Sequence, residues 1–224
     1  MTHKRKTIIN WSIITLIFIL FLTWHGAFDR PLNQAEVDEL MTKYHAADLG
    51  TDTNKEDLRE FLESGDGKPV YMINVIKNYD QPKLTDAMIE KGMTTDMTAE
   101  EVLADYTGFV FPYLIKNGSY PIYTGTALLD SQEVWGIENA TEWSSGAIIR
   151  YKDRRTMIEM ATDPAFAQFH DSKIAAIEKT VSYPLTTQMY FVDLSYFMFV
   201  LLALIGSLVQ FFINRRSKHE KITD

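Results

Sequence analysis

Two apolar runs bracket a middle of mixed periodicity. Residues 7–24, TIINWSIITLIFILFLTW, hold one strongly polar member, Asn10. Residues 194–213, LSYFMFVLLALIGSLVQFFI, carry no charge. Each run predicts a membrane-spanning helix, the first at the short end of the needed length. A cleaved signal peptide is the rival for the first run, because Lys4, Arg5 and Lys6 precede it. Trp24 stands where a small residue should precede a cut, and no A-x-A pattern is present, so an uncleaved anchor is the better reading. Ala203, Gly206 and Ser207 are small enough to let another helix approach the second span. Trp24, Tyr190, Phe191 and Tyr196 sit where aromatic belts lie.

Residues 25–68 read as a helical preface. Asn33 with Glu36, and Thr53 with Glu56, have capping-box spacing. Val37, Leu40, Met41 and Tyr44 make one apolar stripe, and Leu58, Phe61 and Leu62 a shorter one. The expectation is a pad packed on the domain that follows, with partner docking as the alternative. Gly65-Asp66-Gly67 then breaks the chain.

Alternation over residues 69–78 predicts a strand. Asn74 is the odd residue in a strand that otherwise reads as buried on both sides. A buried amide needs a hydrogen-bond partner, which makes Asn74 a candidate pocket residue. Residues 78–97 read as an insertion, a lid or a surface loop, with a short amphipathic piece over 84–89. Thr98 and Glu101 form a third capping box. The helix they open carries Tyr106, Phe109, Val110, Tyr113 and Leu114, meets Pro112, and ends at Asn117-Gly118.

Further strands are predicted over 120–129, briefly near 133–137, over 143–151 and over 182–187, where Pro184 favours an edge. Asp153 caps one helical segment, and Asp163-Pro164 starts another. Phe166, Phe169, Ile174 and Ile177 are the apolar positions of that second segment, each pair three apart. The order is β-α-β-β-α-β, the ferredoxin-like pattern. The predicted fold class is therefore α+β, a ferredoxin-like domain over 69–189 between two transmembrane helices. Short tails flank them at 1–6 and 214–224.

A resemblance supports that order. Residues 70–77, VYMINVIK, residues 106–125, YTGFVFPYLIKNGSYPIYTG, and the run from the Trp143 strand through IIRY to DPAFAQFH resemble a family of small bacterial proteins of unknown function. That family has the dimeric α/β-barrel fold and belongs with the antibiotic-biosynthesis-monooxygenase-like superfamily. The resemblance covers about residues 69–186 and implies a homodimer formed across the sheet. The superfamily includes heme enzymes, cofactor-free oxygenases, isomerases and proteins with no known role. Aligned on Asp163-Pro164, His170 falls one place before the family's histidine, and Lys173 takes the place of its arginine.

Charge settles location and excludes one class of partner. Residues 25–192 carry 15 Lys and Arg against 27 Asp and Glu, a net charge of −12. Such a surface argues against nucleic acid, which needs a basic face. Basic clusters flank the outer ends of both spans, at Lys4–Lys6 and at Arg215, Arg216, Lys218 and Lys221. Both termini are expected in the cytoplasm and the acidic middle in the periplasm of a bacterial inner membrane.

Chemistry is thinly signalled. There is no cysteine, no phosphate-binding glycine loop, no metalloprotease helix and no nucleophile elbow. No motif calls for a tightly bound metal or nucleotide, and heme stays open. The candidate ligand-binding residues are Asn74, Tyr106, Trp143, Arg150 and His170, with no catalytic residue assigned. Arg150 also reads as half of a surface ion pair with Asp153, and His170 as a partly exposed helix residue. Two functions follow: a membrane-anchored domain that binds, and in its stronger form transforms, a small apolar or aromatic molecule; or a non-catalytic accessory subunit that holds a membrane protein partner.

Overall fold

The computed structural model describes residues 2–47, 55–190 and 193–220. Along the chain the elements are α1 (His3–His25), α2 (Gln34–Ala47), α3 (Lys55–Glu63), β1 (Val70–Asn78), α4 (Asp86–Glu90), α5 (Ala99–Lys116), β2 (Tyr120–Thr126), β3 (Ser145–Tyr151), α6 (Arg154–Ala161), α7 (Pro164–Ala176), β4 (Ile177–Leu185) and α8 (Leu194–Glu220). They fall into two compact units, one of Met1–Phe28 with Gln188–Asp224 and one of Asp29–Thr187.

In the first unit, α1 and α8 are each long and apolar enough to cross a membrane, with mean hydropathies of 2.0 and 2.3 over their spans. The two helices pack antiparallel, because low numbers on one meet high numbers on the other. His3 bonds Asn214 at 2.7 Å, Gln210 donates to Thr7 at 2.9 Å, and Asn10 donates to the Gly206 carbonyl at 3.0 Å. At the far end Ser195 Oγ lies 3.1 Å from His25 Nδ1. A close approach occurs at Gly206: a Cβ there would stand 3.0 Å from Trp11 and 3.2 Å from Ile14.

The second unit is built on a four-stranded sheet in the order β2-β3-β1-β4, with every neighbouring pair antiparallel. Two connections carry helices: α4 and α5 between β1 and β2, and α6 and α7 between β3 and β4. Register decides the faces. Val70 pairs with Tyr151, and Met72 with Ile149. Tyr151, Ile149 and Met72 pack with Val110 and Leu114 of α5, Met160 of α6 and Phe166 of α7 as the central core. The opposite face carries Tyr71, Ile73 and Val75 beside Leu185, Tyr183 and Val181. On β4 these three are 42–47% exposed.

The preface forms the expected pad. Asn33 and Glu36 cap α2 reciprocally, at 3.1 and 2.9 Å. Val37, Leu40 and Met41 of α2 pack with Leu58 and Leu62 of α3 against Ile158 of α6. Glu36 also pairs with Arg155 of α6 at 2.6 Å, fixing the pad by charge as well. The capping pair of Thr53 and Glu56, together with Phe191 and Lys221, lies outside the residues whose side chains are described.

Several boundaries differ from expectation. β1 is only half-buried between its ends rather than buried on both sides. β4 begins at Ile177, not at residue 182, because pairing with β1 runs back to Asn78. Ile177 is thus a strand residue, and Ile174 is 57% exposed; Ala175 and Ala176 bury the end of α7 instead. β2 stops at Thr126, and the short strand expected near 133–137 is irregular loop. Residues 84–89 are not a free lid: Met88 of α4 is buried against Ala99 and Val102 of α5 and Ala175 and Ala176 of α7. Pro112 stays inside α5, which runs on to Lys116 with its capping box formed as expected.

Candidate functional site

α5 and α7 lie side by side over the sheet, and their seam is aromatic. Phe109 stacks on Phe169 with ring centres 4.5 Å apart. One turn along, Tyr106 meets Phe166 edge-on at 5.9 Å. His170 lies beside the same Phe166 at 5.3 Å. The Lys173 ammonium stands 5.7 Å from the centre of the Tyr106 ring. The reason is helical spacing: Phe166, His170 and Lys173 are four and three apart, so α7 sets them in one row facing α5. Tyr151 of β3 closes the floor and is 7% exposed.

The electrostatics of this group are unusual for an acidic chain. Burial pushes the Tyr106 hydroxyl up to about 12. Tyr151 is raised by burial first and then by Tyr106 beside it. Burial holds the Lys173 ammonium below its ordinary range, with no opposing charge that would raise it. His170 is lowered by burial first and by the charge of Lys173 second, while Asp171 acts the other way. Asp105 on the facing helix accepts from Ser172 at 2.7 Å. The arrangement offers an amine, a phenol and an imidazole within one aromatic wall. Chemically it can pair with an anion, donate a hydrogen bond and accept a proton.

The five residues expected from sequence do not converge on one place. Tyr106 and His170 meet across Phe166. Asn74 lies on the same face of the sheet, one row beyond Met72 and Ile149. Its amide donates to the Met72 carbonyl at 3.2 Å, and its oxygen accepts from Ser182 at 2.8 Å, so its polar groups are already partnered. Trp143 falls just outside β3, donates to the Ala140 carbonyl at 2.9 Å and lies under Lys179. Arg150 alternates to the opposite face, paired with Tyr71. It is 2% exposed and donates to the Gly118 carbonyl at 3.0 Å. It is no surface partner of Asp153, which instead caps α6 through Thr156 at 2.7 Å.

Sequence reasoning passed over Lys173 and Tyr151 as site residues. A lysine in register with Phe166 and His170 on an apolar helical row was the available signal. Among the described residues no three His, Asp or Glu side chains gather as metal ligands. For a heme, His170 is the one imidazole of this group.

No protein-family profile matches the chain, and no curated protein matches it. Solved structures do resemble it. A protein of unknown function from Rhodopseudomonas palustris, RPA0582, aligns with a TM-score of 0.50 and 20% identity over 62% of this chain and 97% of its own. The methylated form of RPA0582 aligns with the same TM-score and identity, over 62% of this chain and 94% of its own. At that identity the likeness is one of fold alone.

Proposed function

We propose that this is a two-pass membrane protein whose 29–187 unit is a ferredoxin-like, dimeric α/β-barrel domain that binds a small apolar or aromatic molecule at the α5–α7 seam. The observation that carries the reading is the cluster of Tyr106, His170 and Lys173 on an aromatic wall. A lysine among rings with no acid beside it costs stability in a purely structural core and is useful at a binding site. The strand order β2-β3-β1-β4 supports the fold assignment, since it is the order a split β-α-β pair produces. Exposed Val181, Tyr183 and Leu185 on the opposite face support a second copy covering the sheet.

The helix pair supports a reading of location. Because α1 and α8 are antiparallel, His3 meets Asn214, and Lys4–Lys6 lie at the same end as Arg215 and Arg216. That favours both termini in the cytoplasm and the acidic unit in the periplasm. The same pairing supports an uncleaved α1. The binding reading is tested by native mass spectrometry of the full-length protein released gently from its own membrane. A bound small molecule or heme is expected, and a bare chain overturns the reading.

A second reading has its own observation. In the connection from β2 to β3, Leu128, Leu129, Trp135 and Ile137 are 67–94% exposed. Asp130, Glu133 and Glu138 stand among them. An apolar, acidic loop of this kind suits a protein partner with a basic rim around an apolar groove. A stoichiometric protein companion in the same spectrum favours this accessory role.

A further inference from the structure

We propose that the α5–α7 site takes a ligand with one anionic oxygen group on an apolar or aromatic body, a carboxylate or phenolate, with Lys173 as its counter-ion. The inference rests on the binding reading above and adds the charge of the ligand to it.

The argument begins with what Lys173 lacks. Its ammonium has a π face 5.7 Å away at Tyr106 and no carboxylate beside it. A cation over a phenol ring recovers part of the hydration lost on burial, but an anion recovers far more. The two acids nearby are otherwise disposed. Asp105 accepts from Ser172 at 2.7 Å. Asp171 is exposed and two residues from Lys173, about 200° around the helix. An arriving anion therefore meets an ammonium that no carboxylate pairs with among the described residues.

The rest of the site shapes the ligand's body. Phe166 lies between Tyr106 and His170, and the Phe109–Phe169 stack continues the wall by one turn. Rings of this kind favour an apolar or aromatic surface over a hydrated ion such as free phosphate. The protonated Tyr106 hydroxyl can donate a hydrogen bond to the anion. Selectivity has to be local, because the surrounding unit is acidic and its long-range field repels anions. Discrimination should therefore appear mainly as slower release rather than faster capture.

The rival is a lysine whose stem merely covers apolar surface while its head reaches water. Binding measurements separate the two. The probes are 2-naphthoate and its neutral counterpart 2-naphthalenemethanol. Equilibrium dialysis is run against full-length protein in nanodiscs, with empty nanodiscs as the blank. We expect naphthoate to bind roughly tenfold or more tightly than the alcohol, the usual scale of a charge-assisted hydrogen bond. Lys173→Met should erase that preference, and a thermal melt of the same sample shows that the variant is folded. Lys173→Arg should keep the preference. Equal binding of both probes, unchanged by Lys173→Met, overturns the anion proposal and leaves the binding site standing. Failure of both probes to bind above the blank overturns the binding reading, and this inference with it.

Discussion

The side-chain amide of Asn10 donates to the carbonyl of Gly206 at 3.0 Å, one turn from the bond between Gln210 and Thr7. Gly206 makes the contact possible, because a Cβ there would crowd Trp11 and Ile14. The pair sets the register of α1 against α8 by combining close packing with one polar bond, the usual means of helix association in lipid. In membranes, Asn10→Ala should weaken the pairing modestly, by about 0.6 and at most about 1.7 kcal/mol. Gly206→Leu should separate the helices. The chain has no cysteine, so Thr7→Cys with Gln210→Cys supplies a clean crosslink readout. Oxidation should join the two positions, and adding Gly206→Leu should abolish the bond.

Topology is open to a direct test. Alkaline phosphatase fused at Gly125, in the second unit, should be active. A fusion after Lys221, beyond the basic end of α8, should be inactive. The reverse pattern would place the acidic unit in the cytoplasm.

Two groups give stability separate pH windows. His170 is held below its ordinary value of 6.5 by burial first and Lys173 second. In the interval between its folded and ordinary values the unfolded chain binds the extra proton, so stability falls as pH drops below 6.5. Glu36 is held at about 2 against an ordinary 4.5, first by its bond to Arg30 and then by the Asn33 backbone. Its contribution is full above 4.5 and is lost as pH falls toward 2. Thermal melts of His170→Gln should flatten the upper window, and melts of Glu36→Gln the lower one.

Arg150 should behave as a structural residue. Its guanidinium donates to the Gly118 carbonyl just after the C-cap of α5 and lies 5.3 Å from the centre of the Tyr120 ring. Arg150→Met should lower stability by about 2 kcal/mol, because a buried carbonyl loses its charged donor. Binding of 2-naphthoate per folded molecule should not change. A selective loss of naphthoate affinity at full stability would return Arg150 to the site.

Gly67 is strained for any other residue. Its φ is +79°, and a Cβ would stand 2.7 Å from the backbone carbonyl carbon of Arg30. Gly67→Ala should cost more than about 1 kcal/mol, seen as a lower midpoint in a denaturant titration. Gly92→Ala, also at positive φ but with open space around it, should cost less.

How much of this was legible in the chain depends on the range of the force involved. Caps and breaks are local, and Asn33, Thr98, Asp153, Asp163 and Gly118 do what their spacing implies. The two long apolar runs and the alternation of β1 and β3 were equally plain, because composition and period act over a few residues. The start of β4 was not plain. Residues 174–178, IAAIE, carry strong helix formers, and only the free edge of β1 turns Ile177 into a strand.

The site shows the same division. Sequence by itself determined which residues share a face: Tyr106 on α5, His170 and Lys173 on α7, and Arg150 opposite Ile149. Only the tertiary structure decided which faces meet. It set Tyr106 against Phe166 and Lys173, buried Arg150 against the Gly118 carbonyl, and left Trp143 beyond the end of β3. Periodicity is a property of one element, whereas the burial of a charge depends on what another element brings against it.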